Sequence, residues 1–307
     1  MTVVLVTSAN GDTGQATVKS LLEKGLKARA FVRKDDDRAR KLRSQGVEVA
    51  IGDISSLRDI RIAMSGVQRA YFCHPLTDGI VEAAAIFAQA AKEQELELIV
   101  NMSHKQSRPF ARSKTTQDHW LSEQIFNWSG VPSTHLRITF FAEWLLYIAP
   151  LIKYGRYVMP FNKEGRFAPI AASDIGRIVA GIIANPGAHA GKAHALHGPV
   201  EYSHEELAAL TGRVLGKNLT YEHVTVSTFL ELFGLQDNTP MRKHFEAVTI
   251  DQQERLLEGT DSTGMSIIGQ PLVTVEQFIE QHRSKFVLES EIEKGITSKL
   301  PLELAAR

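Results

Sequence analysis

Val3-Val4-Leu5-Val6, followed by Thr7-Ser8-Ala9-Asn10-Gly11-Asp12-Thr13-Gly14, decides how this chain is read. The first four residues are an apolar, β-branched and aliphatic run, the pattern of a strand buried on both faces. A polar turn carrying Gly11 and Gly14 comes next. Ala16, Val18, Leu21 and Leu22 then follow a helical spacing that Gly25 ends. A buried strand, a glycine turn and a helix N-terminus are the parts of a dinucleotide site. The turn lets the backbone approach a pyrophosphate, and unpaired N–H groups with the helix dipole hold it. Thr7, Ser8, Asn10, Gly11, Asp12, Thr13 and Gly14 are therefore expected cofactor contacts.

Strand and helix patterns alternate from there. Strands are expected over 28–32, 47–51, 70–73, 97–102 and 134–138, with helices over 36–44, 57–64, 80–91 and 115–128 between them. Six strands separated by helices imply a doubly wound parallel α/β sheet. The pattern loosens after residue 140. Residues 140–152 are apolar and aromatic, and 154–165 read as a loop. Helices are expected over 174–184, 203–215, 227–233, 240–257 and 275–283, with a seventh strand over 193–197. Ser203-His204-Glu205-Glu206 has the spacing of a capping box. The expected organisation is a nucleotide domain over 1–150, a smaller, mainly helical lobe over 151–288 that crosses back to the sheet, and a charged tail over 289–307.

Bulk properties narrow the function. The 307 residues suit one large domain with an appended lobe. Lys+Arg and Asp+Glu number 35 each, so a net charge of zero argues against direct nucleic-acid or membrane binding. Cys73 is the only cysteine, which excludes an intrachain disulfide and a cysteine zinc cage. His194 and His197 are closely spaced, yet no third ligand accompanies them and no metal is expected. The N-terminal apolar run is too short for a signal peptide and lacks a basic flank. No stretch reaches the roughly 18 to 20 apolar residues of a membrane span, so a cytoplasmic location is expected.

The expected strand ends indicate the cofactor. Arg33 and Lys34 end the second strand, about 20 residues past the glycine turn, where an acidic residue suits a ribose hydroxyl and a basic one suits a 2′-phosphate. NADP(H) is therefore favoured over NAD(H). Asp35, Asp36 and Asp37 follow directly, and the competing reading is that Arg33 and Lys34 only pair with them. Asp53, with Ile54, ends the third strand and either accepts from the adenine amine or caps the next helix. Cys73, His74 and Pro75 end the fourth strand, and Met102, Ser103 and His104 the fifth. Ligands of open α/β sheets sit at the carboxyl ends of strands, so these segments are expected to line the cofactor.

These residues together resemble the NmrA-like family of atypical short-chain dehydrogenases. The family turn reads T-G-A-T-G-x-x-G; here Ser8 stands for the first glycine and Asn10 for the second threonine, while Gly11 and Gly14 match. Arg33 and Gly52-Asp53 match the family's basic residue and G-D. His119-Trp120-Leu121-Ser122-Glu123, Ser129-Gly130 and Leu136-Arg137-Ile138-Thr139-Phe140-Phe141-Ala142-Glu143-Trp144 resemble its later segments, with Ile138 for a proline and Trp144 for an asparagine. Phe167-Ala168-Pro169-Ile170 with Asp174-Ile175 resembles a further block, so the likeness spans roughly residues 1 to 285. It implies a Rossmann fold and one of two functions. One is NAD(P)H-dependent reduction of an aromatic or conjugated small molecule such as a quinone, imine or dye. The other is non-catalytic NADP(H) sensing through a regulatory protein partner.

Short-chain dehydrogenases typically use Tyr-x-x-x-Lys as the acid. The residues four positions after the six tyrosines are Pro75, Leu151, Val158, Phe161, Glu206 and Thr225, so the spacing is absent. Hydride transfer by positioning remains available, with His74, His104 and His119 as candidate proton donors and His104 the first choice. Phe140, Phe141 and Trp144, in an aromatic-rich run with Tyr147, Tyr157 and Phe161, are expected to divide between gripping a flat substrate and packing as core, with packing the larger share.

Overall fold

A computed structural model describes residues 2–287. Within them the chain forms two compact units: one of 2–139, Ala172–His197 and Asp261–Leu272, the other of Phe140–Ala171, Gly198–Thr260 and 273–287. The expected boundary at 150 falls inside the first segment of the second unit, and the expected tail over 289–307 lies outside the described residues.

The first unit is a seven-stranded parallel sheet. Its strands β1 (Val3–Val6), β2 (Lys27–Val32), β3 (Glu48–Ile51), β4 (Arg69–Phe72), β5 (Leu98–His104) and β6 (Ser133–Ile138) stand in the order β3-β2-β1-β4-β5-β6, and Ala193–Leu196 completes the β6 edge. Leu5 pairs with Arg29 on one side and Ala70 on the other, so the winding reverses between β1 and β4. That reversal leaves a crevice at the carboxyl ends of the two strands. Val4, Leu5 and Val6 are wholly buried, as a parallel strand covered on both faces requires. Helices α1 (Asp12–Glu23), α2 (Asp37–Ser44), α3 (Leu57–Met64), α4 (Ile80–Glu93) and α5 (Lys114–Ser129) connect these strands. Phe72, Phe87 and Phe126 lock one face of the sheet, with ring centroids 4.9 and 5.1 Å from Phe72. The sequence expectations hold for this sheet to within a few residues at each end.

The second unit is richer in strands than its sequence suggests. Its helices include His204–Leu215, Val226–Leu232, Thr239–Gln253 and Val275–Gln281. The expected capping box is formed: Ser203 Oγ accepts from the Glu206 N–H while the Glu206 carboxylate accepts from the Ser203 N–H. The expected loop over 154–165 instead contains the strand Arg156–Met159, paired in parallel with Thr220–His223. Arg166–Phe167 and Tyr202–Ser203 form a second small ladder. The helix expected to reach residue 257 ends at Gln253, and Arg255 adopts a left-handed conformation at φ 59°. Phe140, Phe161, Phe167, Phe229, Phe245 and Phe286 form much of this unit's core. No helix among the described residues is long and apolar enough to cross a membrane.

Candidate functional site

The turn after β1 is built around hydroxyls and close backbone contact. Thr7 Oγ1 accepts from the Cys73 N–H at 2.8 Å and donates to the Cys73 carbonyl at 2.9 Å, tying the end of β1 to the end of β4. Ser8, which replaces a family glycine, takes a left-handed conformation at φ 48° and donates its hydroxyl to the same carbonyl at 2.7 Å. A non-glycine residue there costs about 1–2 kcal/mol, which this hydrogen bond offsets in part. The Gly11 N–H closes the turn onto the Ser8 carbonyl at 2.8 Å. Gly14 admits no side chain, because a Cβ there would lie 2.2 Å from the Ser8 oxygen. The N-terminus of α1 has no side-chain cap, Asp12 is exposed in its first turn, and Asn10 Oδ1 is buried without a hydrogen-bond partner. An uncapped helix end beside a glycine turn is an anion-binding arrangement.

At the ends of β2 and β3, the competing reading of Arg33 and Lys34 is answered by other partners. Asp35 pairs with Arg43 at 2.6 Å, Asp36 with Arg38 at 2.7 Å, and Asp37 with Arg40. Hydrogen bonds from Arg43 and Arg38 hold the Asp35 and Asp36 carboxyls below their usual range. Arg33 and Lys34 are exposed and form no salt bridge among the described residues. Arg33 acts electrostatically on Asp53, whose carboxyl is lowered first by hydrogen bonds from Ser55 and then by Arg33. Asp53 does not cap α3; Ser56 does, and Asp53 instead accepts from the Ser55 N–H at 2.9 Å to set the turn. Ile54 packs its side chain on the core.

At the ends of β4 and β5, Thr13, Tyr71, Cys73 and Met102 gather beneath the turn. The Tyr71 hydroxyl donates to Thr13 Oγ1 at 3.2 Å, and Cys73 Sγ lies 3.2 Å from Met102 Sδ. Burial pushes the Tyr71 phenol and the Cys73 thiol upward, so both stay protonated at neutral pH. His74 is half-buried with Nδ1 2.8 Å from the Pro75 carbonyl, and burial lowers its imidazole. Pro75 is exposed.

Ser103 is held from behind. Its hydroxyl donates to Glu123 Oε1 at 2.6 Å and meets Ser107 Oγ at 2.8 Å. Glu123, 1% exposed, also takes a bidentate pair from Arg137 at 3.0 and 2.6 Å. One buried carboxylate of α5 thereby fixes the ends of β5 and β6. His104 stacks on His119 with ring centroids 3.6 Å apart and planes at 24°. The sequence pointed to His119 as a candidate proton donor and through a family pattern, and to Glu123 through that pattern alone; the tie to Ser103 had no signal of its own.

In the second unit, Phe140 is 7% exposed and packs on Phe161, Phe167 and Trp144, placing it on the structural side of the expected division. Phe141 and Trp144 are half-buried, and Trp144 stacks on His244 with planes at 13°. His194 and His197 take different partners: His194 lies 3.2 Å from His189, and His197 lies 3.3 Å from Asp261. Among the described residues no group of three potential ligands is arranged to hold a metal ion.

The chain is similar to the NAD(P)H azoreductase of Xenophilus azovorans, at 27% identity over 288 residues covering 92% of this chain and 99% of that protein. It is 25% identical to quinone oxidoreductase 2 of Escherichia coli strain K12 over 244 residues, 76% of this chain and 83% of that protein. The solved structure of the NADPH-dependent quinone oxidoreductase of Escherichia coli complexed with NADPH shares the fold, with a TM-score of 0.80 at 23% identity over 91% of this chain and 99% of that one. The family model described as the NmrA-like family matches residues 1–279, and the protein belongs to that family.

Proposed function

We propose that this protein is an NADPH-dependent reductase that reduces an aromatic or conjugated small molecule such as a quinone, imine or dye. Arg33 carries the reading: among the described residues it stands exposed and without a salt bridge just after β2, while the three aspartates that follow are taken up by other arginines. A free guanidinium there suits a 2′-phosphate, with Lys34 adding charge. The uncapped start of α1, with Ser8, Asn10, Gly11, Asp12, Thr13 and Gly14, fits a pyrophosphate. Asp53 and Ile54 fit the adenosine end, and Cys73, His74, Pro75, Met102 and Ser103 the nicotinamide end. The azoreductase relative, named for NAD(P)H, supports the cofactor class, and the quinone oxidoreductase relative supports the acceptor class.

Bound NADPH supplies the hydride. The protein contributes orientation: Glu123 fixes Ser103, and His119 fixes the ring of His104, the proposed proton donor. Phe141 and Trp144, both half-buried, are the proposed substrate contacts. The Tyr-x-x-x-Lys spacing is absent from the sequence, so the reading relies on positioning, with the acceptor's proton taken from water or, where a side chain supplies it, from His104. It keeps the cytoplasmic setting expected from the sequence. NADPH oxidation measured against a panel of quinones, imines and dyes tests it. Turnover with at least one acceptor is expected. Tight NADPH binding without any turnover overturns it in favour of a nucleotide-sensing regulator, which pull-downs in NADP⁺ and NADPH would then seek.

A further inference from the structure

Between β5 and α5 the chain turns a phenylalanine outward. Phe110 is 92% exposed, the most of any large apolar side chain among the described residues, although phenylalanine is among the residue types most often fully buried. A lone apolar residue at the surface is ordinary. What distinguishes this one is where its loop is held. The Lys105 N–H donates to the Ile138 carbonyl at 3.0 Å, tying the start of the loop to the end of β6, and the Ser107 N–H donates to the His104 carbonyl at 3.0 Å. Ser107 Oγ lies 2.8 Å from Ser103 Oγ. Beyond the tip, Gln117 Nε2 donates to the Ala111 carbonyl at 2.7 Å, and Ser113 caps α5. Gln106, Ser107, Ala111 and Ser113 are all buried.

Apolar exposure in this loop is confined to Pro109 and Phe110, and the proline ring fixes the backbone just before the phenylalanine. Three residues of chain span at most about 11 Å, which bounds the distance between the Ser107 and Phe110 Cα atoms. Ser107 is bonded to Ser103, at the proposed nicotinamide end. The ring is therefore tethered near the carboxyl end of β5, where ligands of open α/β sheets sit. Leu76, 43% exposed, adds apolar surface on the loop after β4, the strand paired with β5. A flat aromatic molecule that covers the Phe110 ring releases water from both faces, and offset stacking adds to that gain. The loop is pinned on both sides of its tip, so less ordering cost opposes the contact.

We propose that Phe110 is a specificity-determining residue of the reductase, a platform on which the aromatic ring of the acceptor stacks. The proposal rests on the reductase reading and gives the first unit a substrate contact of its own. Two measurements on the full chain keep the two apart: calorimetric titration of NADP⁺-saturated protein with 2-methyl-1,4-naphthoquinone, and the KM of that quinone in NADPH oxidation. Phe110→Ala should weaken quinone binding about tenfold and raise KM by a similar factor, with kcat changed by less than about twofold. Phe110→Tyr should keep the wild-type affinity, and Phe110→Leu, apolar but without a ring, should not. NADP⁺ affinity and the unfolding midpoint should be the same in all four proteins, because the ring is exposed. The contact is overturned by no quinone binding to the wild type up to the solubility limit, by equal affinity in the wild type and Phe110→Ala, or by full recovery in Phe110→Leu. Quinone binding that depends on the Phe110 ring, without NADPH oxidation by any acceptor of the panel, supports the contact and overturns the reductase reading. Oxidation with an unchanged KM in Phe110→Ala does the reverse.

Discussion

Gly14 in the first turn of α1 stands directly against the Ser8 carbonyl: a Cβ added at Gly14 would lie 2.2 Å from that oxygen and 2.7 Å from the Ala9 Cα. Neither contact is with a flexible side chain, so Gly14→Ala must move the helix or the turn. Overpacking of this kind costs about 1–3 kcal/mol. The same shift pulls the first-turn N–H groups away from the proposed pyrophosphate. Gly14→Ala is expected to lower the denaturation midpoint and also to weaken NADPH in a fluorescence titration. Unchanged values for both would mean that the turn yields without cost.

Arg33 is the point at which cofactor choice is open to measurement. If Arg33 holds the 2′-phosphate as proposed, Arg33→Ala removes a charge-assisted contact worth about 1.5–3 kcal/mol, so NADPH affinity should fall roughly tenfold or more while NADH affinity barely changes. Equal losses for the two nucleotides would assign Arg33 to the fold instead.

Glu123 and Arg137 form a pair whose two members differ in burial, with side-chain exposures of 1% and 32%. Removing the arginine strands a carboxylate that cannot reach water. Breaking such a pair costs about 3–5 kcal/mol. Arg137→Leu is therefore expected to destabilise the protein more than Glu123→Gln, which keeps a neutral acceptor for Ser103 and strands no charge. Urea unfolding of the two variants measures the difference, and the reverse order would show that the pair is not held as described.

The sheet was legible in the sequence because its signals are short-range. A parallel strand buried on both faces reads as a continuous apolar run, and Gly25, Gly46, Gly66 and Gly130 punctuate the helices that follow. The glycine turn, and the place of Arg33 just after β2, were legible for the same reason. The strand Arg156–Met159 was not, because its pairing with Thr220–His223 joins residues far apart in sequence, with Arg156 held to Glu222 across 66 positions. The link from Ser103 to Glu123 and Arg137 was hidden in the same way, being carried by three separate elements. The Gln252 amide meets His204 Nε2 at 2.9 Å with no local signal either; His204 reads from sequence only as a residue of a helix cap.

Burial of His204 makes stability depend on pH. The imidazole is pushed down from 6.5 to about 3, chiefly by desolvation and then by His223. Above pH 6.5 the ring is neutral in both folded and unfolded chains, and its contribution is fully present. As the pH falls below that value the unfolded chain takes up a proton that the folded chain refuses until about pH 3, so stability is lost through that window. The slope from one such histidine is at most about 1.4 kcal/mol per pH unit. Unfolding free energies measured between pH 7 and about 5 should fall more steeply for the wild type than for His204→Leu. Parallel curves would mean that His204 protonates in place.

His104 and His119 offer a test of how the proposed reaction obtains its proton. Their rings are stacked with centroids 3.6 Å apart, so His104 has a packing role separable from its proton. His104→Phe keeps a flat ring against His119 and removes the titrating nitrogens. His104→Asn removes both. If positioning dominates, each single substitution at His74, His104 or His119 should cost under about tenfold in kcat, and His104→Asn should cost no less than His104→Phe because it also loses the stack. General acid catalysis usually contributes about 10²- to 10⁴-fold. A loss of that size in His104→Phe, with NADPH affinity and unfolding midpoint intact, would identify His104 as the acid and end the positioning account, because the ring stack is kept while the titrating nitrogens are gone.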